Sequence, residues 1–215
     1  MSINEILILL LGWFLGILSP GIVSRIANHN KKEALRRIVI TELKDIKKRL
    51  ANIPFLIYPE YGKLDERTFN WVKKQTNNFK NISSDIEMSD DIREKFGQLD
   101  NPEFIKNFVL VCNTKKQKSN PAFGFKKFSI SLIDSHIVNI SLLDDEFIWK
   151  ILDIKFNINI LNEEIQNTSE YLKMTFDSSL TEENHQIIST QIRKNNLFIA
   201  ERAILIVDKI NLIID

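Results

Sequence analysis

The side chains with the most obvious chemical potential in this sequence are its three histidines. His29, His136 and His185 are far apart along the chain. The closest approaches to a metal-ligand cluster are Asp134 with His136 and the pair Glu182–Glu183 with His185. A single histidine beside an acid is more typical of a surface or partly packed side chain than of a metal ligand. We therefore predict no metal-binding residues.

The single cysteine, Cys112, directly follows the apolar run of residues 108–111. This context predicts a small core residue rather than a nucleophile. One cysteine also excludes an internal disulfide and is typical of a reducing compartment.

Motifs of enzymes and cofactor sites are absent from the chain. Its six glycines never take the spacing of a phosphate-binding loop. Glu163, Glu164 and Glu170 suggest a di-metal bundle, but that site needs a Glu-x-x-His pair on each of two helices. Only Glu182 and His185 form such a pair. We predict a protein that is not an enzyme, with no catalytic, cofactor-binding or metal-binding residues and no cofactor.

The composition is that of a folded protein. Of 215 residues, 44% are hydrophobic and 27% charged, and the scarcity of breakers (six Gly, five Pro) favours long helices. The net charge of +1 and the scattered aromatic residues give no basis for binding nucleic acid, which we do not expect as a partner.

The rest of the chain is organised around residues 6–24, which carry no charge between Glu5 and Arg25. As a helix they would span roughly 28 Å, close to the hydrocarbon thickness of a bilayer. We predict a single transmembrane helix here, preceded by a short extracytoplasmic N-terminus of residues 1–5. A cleaved signal peptide is the alternative, but residues 1–5 lack a positive n-region and Pro20 is a poor fit near a cleavage site.

Residues 25–53 form a basic segment whose apolar positions predict an amphipathic helix beside the membrane. Positive charge next to a span stays on the cytoplasmic side. We therefore expect localisation in the inner (plasma) membrane, with the N-terminus outside and residues 25–215 cytoplasmic. The basic residues either only set this topology or also bind anionic lipid headgroups. They are Arg25, Lys31, Lys32, Arg36, Arg37, Lys44, Lys47, Lys48 and Arg49, against Glu33, Glu42 and Asp45.

Three details of this N-terminal region carry further expectations. Gly12 and Gly16 have the spacing of a motif that lets two membrane helices approach closely, although glycine is common in spans. Pro20 is expected to kink the helix. The weak helix formers Asn28–Asn30 mark a soft joint before the basic helix.

Residues 54–142 are expected to be an irregular region with short helices. Asp65 predicts the N-cap of a helix over 66–81, with Phe69, Val72, Thr76 and Phe79 on one side. Asn101 and Pro102 predict the start of another, with Phe104, Phe108, Val111 and Cys112 on one face. The lysine-rich residues 113–127 are interpreted as a loop, with a second basic patch as the alternative. Residues 82–101 suggest one or two short helices, and 128–140 a short helix rather than a strand.

Residues 143–215 predict a long antiparallel helical hairpin. One helix covers about 143–176, with Phe156 and Ile160 widening its apolar face, and a cap at Thr181 begins a second over about 182–213. Thr168 and Asn195 are polar residues at seam positions and either set the register or face the edge. The first seam is Phe147, Ile151, Ile154, Ile158, Leu161, Ile165, Thr168 and Leu172.

Together these patterns predict an all-α chain in which a single N-terminal transmembrane helix precedes a cytoplasmic helical bundle. No family is identified by any motif; the plan is shared by many small bacterial membrane proteins. We expect a non-enzymatic interaction or scaffold module whose partners are the bilayer and a protein partner or second copy. The alternatives are a membrane-acting effector, such as a toxin or defence component, that oligomerises through its span, and a membrane-tethered enzyme or ligand sensor without a linear motif.

Overall fold

Regular structure in the described part of the chain is entirely helical. The structure is a computed structural model that describes residues 3–76, 101–114, 123–135 and 141–214. Within these ranges no residue lies in a strand, which confirms the predicted all-α class. Besides a 3-10 turn at Pro59–Tyr61, the helices are α1 (Ile3–Leu50), α2 (Ile53–Ile57), α3 (Glu66–Gln75), α4 (Pro102–Thr114), α5 (Ser131–Ser135), α6 (Asp145–Met174) and α7 (Glu182–Ile214).

Local capping chemistry explains where several helices begin. The Asp65 carboxylate accepts a hydrogen bond from the Thr68 amide at 2.6 Å, and Asn101 Oδ1 accepts one from the Glu103 amide at 2.9 Å. Asp144 caps α6 in the same way through the amide of Phe147, at 3.0 Å. The Thr181 hydroxyl is 3.3 Å from the Asn184 amide at the start of α7. Each cap satisfies a backbone donor that the first helical turn leaves without an intrahelical partner.

The main core lies between α6, α7 and the C-terminal half of α1. Asp153 pairs with Lys209, and Asn157 with Arg202, so α6 and α7 run antiparallel, as predicted. α1 runs parallel to α6, because Arg36 lies over the Phe147 ring while Arg49 lies over Phe128, which is bonded to Asn162. The apolar stripe predicted for residues 25–53 is buried throughout, although α1 ends at Leu50 and the last residue of the stripe begins α2. The residues Leu35, Val39, Leu43, Ile46, Leu50 and Ile53 are each at most 5% exposed.

A smaller core joins α2, α3 and α4. Phe55, Phe69 and Phe108 pack ring against ring, with centroids 5.5 to 6.2 Å apart. Leu64 and Val72 are buried beside them. Aromatic clusters of this kind contribute more than their buried area alone. The region expected to be irregular therefore contains an ordered core of its own.

The N-terminal half of α1 projects beyond the bundle. Every residue from Gly21 to Lys31 is exposed, and burial begins at Lys32 and Glu33 and becomes complete at Leu35. The helix is continuous through Pro20 and through Asn28–Asn30, so the soft joint expected there does not interrupt it. Among the residues that the structure describes, no helix is both apolar enough and long enough to cross a membrane.

Several sequence expectations are corrected or fall outside the described ranges. Val111 is 57% exposed, and Ile105 is buried on the α4 face instead; Phe156, expected to widen the α6 core, is 63% exposed. α3 ends at Gln75 rather than at residue 81. The interpretations of Phe79, of residues 82–101 and of most of 113–127 concern positions outside the described residues. The short helix expected in 128–140 is found at Ser131–Ser135, and 136–140 lie outside the description.

Candidate functional site

The two described histidines lie on different helices. His29 is exposed on α1, whereas His185 is half-buried in the first turn of α7; His136 lies outside the described residues. Within the described ranges, no group of three or more histidine, cysteine, aspartate or glutamate side chains is placed to hold a metal ion. Glu163, Glu164 and Glu170 lie along the exposed or half-exposed side of α6.

A polar concavity of about 430 Å³ adjoins the beginning of α7. It contains Glu182 and His185, the pair singled out by sequence, on adjacent turns of one helix. The Arg193 guanidinium at its edge lies 5.5 Å from the Tyr61 ring centroid. The site is open to solvent, and its described lining side chains are Glu182, His185, Gln186, Ser189, Thr190 and Arg193.

Tyr58 and Tyr61 pack close to α7, and both have raised pKa values. Burial raises the pKa of Tyr58 to about 12, and the negative charges of Glu201 and Asp65 add to the effect. Burial also raises the pKa of Tyr61, against the hydrogen bond from Asn196, whose Nδ2 donates to the phenol oxygen at 2.8 Å. Both phenols therefore stay protonated near neutral pH. Cys112 is half-buried against the smaller core.

The most specific polar contacts fasten residues 123–135 across α1 and α6. The Glu42 carboxylate, 9% exposed, accepts hydrogen bonds from the amides of Leu132 and Ile133, both at 2.9 Å. Asn162 Oδ1 accepts a hydrogen bond from the Phe128 amide at 2.8 Å, and Asn162 Nδ2 donates one to the Phe128 carbonyl at 2.9 Å. The side chain thus pairs with the backbone as a neighbouring strand would. Neither role could be predicted from the sequence, where Glu42 is one acid within a basic helix and Asn162 is one polar residue of a long amphipathic helix.

Polar side chains also fix the register of α6 against α7. Arg202 Nη1 donates to Asn157 Oδ1 at 2.8 Å, and Asn157 is 4% exposed. The predicted seam residues Thr168 and Asn195 are buried, but the bonds they form stay within their own helices, to Glu164 and Gln191. Asn157 immediately precedes Ile158 of the seam, which is the only sequence signal that could have identified it.

The basic segment beside the projecting part of α1 is partly used by the bundle itself. Lys32 and Arg36 each approach the Asp144 carboxylate to 3.9 Å, and Arg36 also lies over the Phe147 ring. Arg25, Lys31 and Arg37 are exposed. The ion pairs of Lys32 and Arg36 with Asp144 are exposed and contribute little stability. The segment therefore presents free positive charge where the bundle ends and the projecting helix begins.

Comparison with known proteins identifies no relative. The chain matches no protein-family model, and neither a curated protein nor a solved structure shows significant similarity to it. Three surfaces of the described structure are exposed: the projecting part of α1, its basic flank and one side of the α6–α7 hairpin.

Proposed function

We propose that this protein is a single-pass membrane protein whose helical bundle acts, without catalysis, as an interaction or scaffold module at the inner face of the membrane. The proposal rests on the sequence of residues 6–24, since the structure by itself identifies no spanning helix. The observation that carries it is the combination of that uncharged run with a projecting part of α1 whose described side chains are exposed.

Exposed apolar side chains on this helix need a covering. Burying one large apolar side chain contributes about 1.5 to 3 kcal/mol, so six of them represent about 10 kcal/mol or more. That amount is comparable with the whole stability of a typical domain. They are Leu10, Trp13, Phe14, Ile22, Val23 and Ile26, each at least 54% exposed.

Backbone hydrogen bonding favours the same environment. A helix without tertiary contacts is marginal in water. Inside a bilayer, where no water satisfies the backbone, a helix bonded within itself is the required form. Residues 6–24 include twelve Ile, Leu, Val or Phe residues, which contribute about 4 to 7 kcal/mol to insertion on the translocon scale.

The positive charges from Arg25 onward support an orientation with the bundle on the cytoplasmic side. Residues 25–34 then form a stalk of about 15 Å between bilayer and bundle. Exposed Arg25 and Lys31 on this stalk are placed to meet anionic headgroups. The bundle offers long, accessible helix faces, which support binding of a protein.

Fractionation of the full-length chain tests the anchor. Leu10→Lys with Phe14→Lys adds about 6 kcal/mol to the cost of insertion, enough to cancel the apolar contribution. We expect the unmodified chain to resist alkaline extraction from membranes and this double variant to be lost from them. His29→Lys with Asn30→Lys is the matched control, because it adds the same charges at exposed α1 positions outside the run. An unmodified chain recovered in the soluble fraction without detergent would refute the anchor.

Labelling of single cysteines tests the orientation. In a Cys112→Ser background, Ser2→Cys should react with a membrane-impermeant maleimide in intact cells. Phe176→Cys, at a position 86% exposed at the hairpin tip, should react only after lysis. The reverse pattern would contradict the proposed topology.

A further inference from the structure

Large apolar side chains are unusually exposed on one side of the α6–α7 hairpin. Trp149, at 72%, and Phe156, at 63%, are more exposed than many charged residues of the bundle. We call this surface the outer face. Its exposed apolar residues are Trp149, Leu152, Phe156 and Met174 on α6 and Ile187, Leu205 and Leu212 on α7. Large exposed apolar side chains that recur on one side of a folded protein suggest an interaction site.

The outer face is ordered into levels along the two helices. The contacts Asp153–Lys209 and Asn157–Arg202 show which residues of α6 and α7 lie side by side. By that register, Trp149 is level with Leu212, and Phe156 is level with Leu205. Met174 and Ile187 form a third level near the hairpin tip. On α6, Met174 follows Phe156 by five helical turns, and on α7, Leu205 follows Ile187 by the same interval. Trp149 precedes Phe156, and Leu212 follows Leu205, by about two turns, so the apolar side chains of each helix lie on one side of it.

Between these apolar levels the face is polar, and both helices carry exposed charges there. Glu163 and Glu170 continue the seven-residue spacing of Trp149 and Phe156 on α6, and both are exposed. Lys194 on α7 is exposed on the same side, three turns before Leu205, at a height between those two glutamates. At the height of Lys194 the α6 edge is therefore acidic and the α7 edge basic, whereas Glu201, one seven-residue step further along α7, is an exposed acid.

We propose that the outer face pairs with the outer face of a second copy of this chain, with the two hairpins side by side and parallel. The inference rests on the proposed membrane anchor, because two copies held in one membrane by their α1 helices present their outer faces at equal heights. A twofold axis along the membrane normal then places α6 of each copy against α7 of the other. Each apolar level meets an equivalent apolar level, and Lys194 of one copy lies between Glu163 and Glu170 of the other.

The dimensions of the outer face suit such a pair. Helices of this length and spacing present a surface about 45 Å long and about 20 Å wide. This is close to the roughly 800 Å² per partner that a stable interface covers. An isologous pairing also closes on itself, because the same surface is used by both copies. The product is a four-helix arrangement with apolar contacts near the membrane and at the tip.

Cross-linking in intact membranes tests the pairing and its direction. Two differently tagged full-length copies, both carrying Cys112→Ser, are co-expressed, one with Phe156→Cys and the other with Leu205→Cys. A short bis-maleimide should join them, because these positions are level in a parallel pair. The matched control combines Phe156→Cys with Ile187→Cys. Those positions are about 27 Å apart in height in a parallel pair but become neighbours in an antiparallel one.

Charge substitution provides a second measurement. Phe156→Glu with Leu205→Glu, read out by energy transfer between labelled copies in membranes, should lower the paired fraction at least about tenfold. Leu110→Glu with Val111→Glu is the matched control, since these α4 side chains are as exposed as Phe156 but lie away from the outer face. Gly12→Ile with Gly16→Ile should leave pairing unchanged. Loss of pairing in that variant would assign the contact to the span and overturn the proposal.

The remaining outcomes separate this inference from the proposed function. A chain found in the membrane fraction that gives no Phe156–Leu205 cross-link, or gives the Phe156–Ile187 cross-link instead, overturns the pairing and leaves the anchor intact. A chain found in the soluble fraction that still gives the Phe156–Leu205 cross-link overturns the anchor and supports the face as the contact. A soluble chain with neither cross-link overturns both.

Discussion

Substitution of Glu42 removes the carboxylate that bonds residues 123–135 to α1. Glu42 lies on α1, about ninety residues before Leu132 and Ile133, whose amides donate hydrogen bonds to its carboxylate. Its oxygens satisfy the first-turn donors of α5, which a five-residue helix cannot satisfy itself. The Ile133 side chain is 1% exposed, so water cannot readily replace the carboxylate there. Glu42→Ala should therefore release this segment from α1.

The expected loss of stability follows from the two hydrogen bonds. A hydrogen bond to a charged acceptor contributes about 1.5 to 3 kcal/mol when it is buried, and less where a donor can turn to water, as at Leu132. We expect Glu42→Ala to lower the free energy of unfolding by about 3 kcal/mol. For a chain of this size that corresponds to a fall in Tm of roughly 6 to 12 °C. Glu42→Gln keeps one accepting oxygen and should lose about half as much.

Thermal unfolding and amide hydrogen exchange of the full-length chain in lipid nanodiscs measure this effect. Exchange at Leu132 and Ile133 should accelerate in Glu42→Ala far more than exchange along α6 and α7. Asp45→Ala is the matched control, because Asp45 is an exposed α1 acid whose partner is Arg49, one turn away. That control should cost only a few tenths of a kcal/mol. The reasoning fails if Glu42→Ala shifts Tm no more than Asp45→Ala and both amides keep their protection.

Three further predictions concern other parts of the fold. The hydrogen bond from the Phe147 amide, with smaller help from nearby Lys32 and Arg36, lowers the pKa of Asp144 below its usual 3.8. The stabilisation is complete above that unfolded value and is lost as pH falls through the lower folded pKa, so Asp144→Asn should flatten the acid limb of the unfolding curve measured by circular dichroism. Tyr58, with a pKa of about 12, contributes stability below pH 10 that is lost as pH rises from the unfolded value of 10.0 towards 12. Absorbance titration should show late phenolate ionisation, and Tyr58→Phe should remove the part of it near pH 12. Phe69→Ala removes a fully buried ring from the smaller core and should cost about 3 to 5 kcal/mol in denaturant unfolding, whereas Phe104→Ala, at the half-buried edge, should cost clearly less.

The starting points of several helices could be predicted from local sequence. Asp65 and Asn101 cap their helices through bonds to amides two or three residues away, so the information is contained within one helical turn. The stripe from Leu35 to Ile53 is buried as its spacing indicated. The absence of glycine and proline after Gly124 correctly favoured two long helices over residues 145–214. The transmembrane assignment of residues 6–24 stays a prediction.

Contacts between distant parts of the chain could not be predicted in this way. Periodicity places Phe156 beside the apolar stripe of α6 and predicts its burial. The packing of α1 and α7 against α6 leaves it exposed. Glu42 and Asn162 appear in the sequence as ordinary polar residues of amphipathic helices, and their roles exist because residues 123–135 lie across them. The register of the hairpin likewise depends on Asn157 meeting Arg202, forty-five residues later. Local sequence therefore determined which segments are helical, because helix propensity and capping act over a few residues. Tertiary structure alone decided which apolar faces are covered and which remain free, because burial depends on what the rest of the chain brings against them.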